Sequence, residues 1–67
     1  MRDNWQMIYS SPLQYKVEIA KAVLEDSEIE SVIVNLKDSL YHFGEIELYV
    51  QFDDVLRAKQ IIYKGKL

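Results

Sequence analysis

Apolar and polar residues alternate along this chain at two periods, and the switches between them divide it into five elements. Trp5, Met7 and Tyr9 lie on one side of a period-two run with Gln6 and Ile8 on the other, which predicts a first strand over Trp5 to Tyr9. At Ser10-Ser11-Pro12 the period changes. Leu13, Val17, Ala20 and Leu24 recur at intervals of four, three and four, Ile19 and Val23 widen that stripe, and Lys16, Glu18, Lys21 and Glu25 stay outside it. A helix from about Pro12 to Glu25 follows. Ser11 stands as its N-cap, Pro12 at its first position and Gln14 three residues after the cap, the pattern of a capping box.

Asp26-Ser27-Glu28 lacks the glycine that most easily supplies a left-handed residue after a helix, so Glu28 or Ser27 is expected to take that conformation. Ile29 to Leu36 contains Val32, Ile33 and Val34 in succession, a β-branched second strand. From Glu45 to Gln51, Ile46, Leu48 and Val50 alternate strictly with Glu45, Glu47, Tyr49 and Gln51, a third strand with one covered face and one open face. Asp53 is the expected N-cap of a closing helix, with Val55, Ala58 and Ile62 as its apolar stripe and Gly65 at its end. The order β-α-β-β-α predicts an α+β fold, a three-stranded mixed or antiparallel sheet with two helices on one face. If the third strand inserts between the other two, the arrangement is a split β-α-β unit of ferredoxin-like type. Its first strand is then an edge from Gln6 to Tyr9, and a second copy of the chain is the expected cover for that edge or for the open face, the alternative being that the tail from Tyr63 to Leu67 folds back beside the edge and leaves a monomer.

Length narrows this further. A chain of 67 residues makes one domain and buries only about 60% of the surface its unfolded form exposes. With no cysteine and one histidine, neither disulfides nor a metal staple is available, which leaves association as the remaining source of stability. Neither a secretory signal nor a membrane span is expected, and a cytoplasmic location is the default. The net charge of −3, with no basic cluster beyond Lys64 and Lys66, argues against nucleic-acid binding.

The strand Trp5 to Tyr9, the helix segment Val17-Glu18-Ile19-Ala20-Lys21-Ala22-Val23-Leu24-Glu25, Ile29, and Gly44-Glu45-Ile46-Glu47-Leu48-Tyr49-Val50 followed by Asp53-Asp54 and Ala58 suggest a family. Over nearly its whole length the chain resembles a small bacterial family of unknown function labelled as prokaryotic signal-transducing proteins. The resemblance implies a ferredoxin-like fold, distantly similar to nitrogen-regulatory P-II proteins, and a role in signal transduction. Glu28 stands where that family commonly has glycine.

Chemistry is sparse. Glu45 and Glu47 point to one face about 6 to 7 Å apart, but no third ligand joins them, so they read as a solvated strand face. The connection from Lys37 to Gly44 gathers Tyr41, His42 and Phe43. It reads either as a recognition loop or as a cover for the end of the core, with Gly44 setting the entry angle into the third strand. His42-Phe43-Gly44-Glu45-Ile46 partly matches an RNA-recognition strand, yet Glu45 occupies the place of a stacking aromatic and Tyr41 that of the basic residue. Trp5, Tyr9 and Tyr49 are candidates for an apolar patch on the open face; the alternative, which alternation alone does not decide against, is that Trp5, Met7 and Tyr9 point into the core and leave Ile8 outside. The leading reading is a non-catalytic regulatory or interaction domain, with no cofactor, that binds a protein partner or itself as a homodimer. A metabolite sensor is the alternative, with a pocket between the connection from Asn35 to Phe43 and a neighbouring element. An enzyme of unknown reaction comes third.

Overall fold

The computed structural model describes residues 4–36 and 44–65. Its strands are β1 (Trp5–Ser11), β2 (Ser31–Asn35) and β3 (Ile46–Gln51). Its helices are α1 (Gln14–Asp26) and α2 (Val55–Gly65), the latter entered through a single 3-10 turn over Phe52–Asp54. The sheet order is β1-β3-β2, with β3 antiparallel to both neighbours. The result is an α+β fold around a three-stranded, antiparallel, open sheet in which the third strand is inserted between the first two.

The alternation in β3 decides where the core lies. Ile46, Leu48 and Val50 are buried, and they join Val17, Ala20 and Leu24 of α1 and Ala58 and Ile62 of α2 in one cluster, so both helices cover the same face of β3. Ile29 and Ile8 complete the cluster. Side chains as fully buried as Leu24, Ile29, Ile46, Leu48 and Ile62 each contribute about 1.5 to 3 kcal/mol. Leu13 and Ile19, expected within the α1 stripe, are exposed, so the covered stripe is narrower than the apolar pattern.

Two local devices shape the crossover from β1 to β2. Ser11 belongs to the end of β1 and is buried, and its Oγ accepts the backbone N–H of Leu13 at 3.0 Å. The helix consequently begins two residues later than a cap at Ser11 requires. Leu13 takes the cap position with no side-chain bond, and Gln14, in the first turn, donates to Glu18 at 2.7 Å. The capping box is thus replaced by a serine turn, because a hydroxyl this close to the chain competes for the nearest free N–H.

At the other end of α1, Glu28 has φ of 63°. Glu28 N–H donates to Glu25 O at 2.9 Å and Ile29 N–H to Leu24 O at 2.9 Å, the paired bonds of a Schellman closure. Leu24 and Ile29, the two ends of the longer bond, are both fully buried, so the apolar contact that accompanies this closure is part of the core. Burial of Ile29 holds a non-glycine residue in the left-handed region. Gly44, with φ of 94°, supplies the same hand of turn at the entrance to β3 at no such cost.

The closing helix departs from expectation in one respect. Asp53 lies within the 3-10 turn and caps nothing with its side chain, while Asp54 pairs with Arg57 at 3.7 Å.

Replacing Glu28 with glycine relieves the left-handed backbone and is expected to stabilise the fold by about 1 kcal/mol, read as a higher denaturant midpoint at unchanged slope. Ser11→Ala strands the Leu13 N–H and is expected to cost about 1 kcal/mol. Amide exchange should then quicken at Leu13 itself and leave the middle of α1 protected.

Candidate functional site

Residues directly opposite one another in an antiparallel ladder share a face, so the register assigns every side chain of the sheet. On the side away from the helices, Met7, Tyr49 and Val32 form one row across β1, β3 and β2. Trp5 and Gln51 form the row on one flank, and Ser10, Glu47 and Val34 the row on the other. Five of these eight side chains are apolar or aromatic: Trp5, Met7, Val32, Val34 and Tyr49. Met7 is 48% exposed, Val32 40% and Val34 37%, whereas Trp5 and Tyr49 are half-buried against their neighbours.

A β-bulge creates this distribution. Met7 pairs with Tyr49 and Tyr9 with Leu48, which leaves Ile8 as an extra residue in β1. Strict alternation would keep Tyr9 beside Trp5 and Met7. Instead Ile8 is buried and Tyr9 packs against the core cluster, so of the three aromatics considered for the open face, Trp5 and Tyr49 are there and Tyr9 is not. The bulge lets one short strand turn Ile8 and Tyr9 toward the core together.

The polar groups of the face form a local pair. Tyr49 donates its hydroxyl to Glu47 Oε1 at 2.7 Å. That hydrogen bond to the carboxylate raises the Tyr49 phenol above its ordinary value of 10.0, aided by desolvation and by the charge of Glu47. Glu45, ahead of β3, is exposed, and Glu47 is half-buried. Among the described residues no group of three His, Cys, Asp or Glu side chains gathers where a metal ion could be held, and no pocket opens.

Asn35 stands opposite Ile46, at the end of β2. Lys37, Tyr41, His42 and Phe43, which carry the recognition loop and most of the sensor pocket considered from the sequence, lie outside the described residues.

Two apolar features escaped the sequence reading. Val32 and Val34 on the open face sit in a run of three β-branched residues, where composition alone does not reveal the outward positions. On α2, Leu56 and Tyr63 are 77% and 70% exposed, with Phe52 of the preceding turn also exposed. Their spacing of four and seven was the available signal for a second stripe on the outer side of that helix. Among the described residues no helix is long and apolar enough to cross a membrane.

No family model, curated protein or solved structure matches the chain.

Glu47→Gln replaces the carboxylate that accepts the Tyr49 hydroxyl with a neutral amide, weakening that hydrogen bond and removing the charge beside it. In a tyrosinate absorbance titration that compares the wild type with Tyr49→Phe, the Tyr49 phenol is expected to ionise above pH 10.0, and in the Glu47→Gln variant to lose that delay. Because the folded state holds this proton more tightly than the unfolded chain, its contribution to stability is complete below the unfolded value and fades as pH rises through the folded one. Tyr49→Phe is therefore expected to flatten the alkaline limb of the stability profile.

Proposed function

We propose that this chain is a non-catalytic interaction domain acting in the cytoplasm, which binds a protein through the open face of its sheet and serves a regulatory role such as signal transduction. The observation that carries the reading is the joined apolar patch of Trp5, Met7, Val32, Val34 and Tyr49. It spans all three strands and is bordered by Glu47, Gln51 and Ser10. An apolar centre with a polar rim is the anatomy of a protein-binding surface, and a half-buried tryptophan and tyrosine supply the residue types that dominate such contacts. The family resemblance in the strands and α1 supports the regulatory role, and the ferredoxin-like description is the finer form of the fold that accompanies it.

The test is Met7→Asp, which places a charge in the central row at an exposed position and is expected to leave stability within about 0.5 kcal/mol. Wild-type protein used as bait should retain a partner that the variant releases, with the direct affinity for the purified partner falling at least tenfold. Equal retention by both proteins would remove the open face from the proposal.

A further inference from the structure

The two edges of the sheet are not equivalent. β1 is interrupted by the bulge at Ile8, a distortion that bends an edge and disfavours pairing with another strand. β2 has a regular register from Ser31 to Asn35. Leu36 N–H donates to Glu45 O at 3.2 Å, so the even positions of β2 turn their backbone groups toward β3. Ser31, Ile33 and Asn35 turn theirs outward. In agreement, the Ser31 carbonyl accepts Lys21 Nζ from α1 at 3.2 Å instead of a bond from β3.

From this edge we infer that the chain self-associates by antiparallel pairing of β2 with β2 of a second copy, centred on Ile33. The inference rests on the reading of the chain as a binding domain and names one of its partners. Ser31-Val32-Ile33-Val34-Asn35 reads polar, valine, isoleucine, valine, polar from either end. A two-fold axis through Ile33 sets Ile33 against Ile33, exchanging N–H and C=O bonds between outward-facing groups. The same axis sets Val32 against Val34 on the open face and Ser31 against Asn35 at the ends.

No position in this register meets a like charge, because the strand carries none and Glu30 falls opposite Leu36. Lys21 does not block it: a carbonyl has two lone pairs, and the central Ile33 pair does not use Ser31. The pairing joins two open faces edge to edge, so the exposed Val32 and Val34 of both copies gain apolar neighbours. A strand of five residues makes a small interface, so the dimer is a concentration-dependent equilibrium.

Sedimentation equilibrium up to about millimolar protein should show the mass rising from that of one chain to twice it. Two double variants then test the register. V32K/V34K sets lysine against lysine across the axis and is expected to stay monomeric. V32K/V34E sets each new lysine against the other copy's glutamate and is expected to restore the dimer, with a salt dependence the wild type lacks. Both substitutions are at exposed positions, and circular dichroism confirms that each variant is folded before its mass is read.

A wild type that stays monomeric throughout overturns the inference, as does a dimer that survives V32K/V34K or a V32K/V34E protein that remains monomeric. If the monomeric wild type still binds a protein that Met7→Asp releases, only this inference falls. If it binds nothing, the reading of the chain as a binding domain falls with it.

Discussion

The buried face of β3 is the constraint on which the other elements depend. Ile46, Leu48 and Val50 are the apolar row that both helices cover, and β3 is also the strand to which β1 and β2 each pair. With Ala58 and Ile62 of α2 and Val17, Ala20 and Leu24 of α1 resting on one side, every apolar residue on the other side is left over. The open face is thus a consequence of how the core is made. Two helices suffice for one side of three strands, and the chain supplies no third layer among its described elements.

Asymmetry between the edges follows from the same economy of material. β1 turns both Ile8 and Tyr9 toward the core with very few residues, and it does so by inserting one residue into the ladder. β2 keeps a regular register while Ile33 packs against the core, and Ile29, just ahead of it, is fully buried through the closure of α1. One edge is bent by its packing. The other is left straight.

Much of this was legible in the residues. The spacing of Val17, Ala20 and Leu24 and the alternation of Ile46, Leu48 and Val50 both reported true burial, and the absence of glycine after α1 signalled a left-handed residue at Ser27 or Glu28, which is Glu28. Tyr49 was legible as an open-face residue once β3 was placed centrally, whereas alternation alone left either Trp5-Met7-Tyr9 or Gln6-Ile8 for that face of the first strand. Three features were not. A bulge has no residue signature at Ile8, since either register offers apolar side chains to the core. Ser11 and Gln14 satisfy the pattern of a capping box equally well whether the serine caps the helix or closes a turn onto Leu13. The run Val32-Ile33-Val34 conceals which of its members face outward, because all three are β-branched and only the pairing with β3 distinguishes them.

The central position of β3 also bears on how the domain is made. β1 and β2 never touch one another in the sheet, and the strand that joins them is the last of the three in the sequence. As the chain emerges from a ribosome in order, the described residues ahead of Ile46 hold two strands and a helix but no ladder in which either strand has a neighbour. Assembly of the sheet waits for Ile46 to Gln51, and pairing with β1 then closes a loop of roughly 40 residues at once. Synthesis and folding are in this way separated in time: the sheet forms as one event, late, around the strand that arrives last.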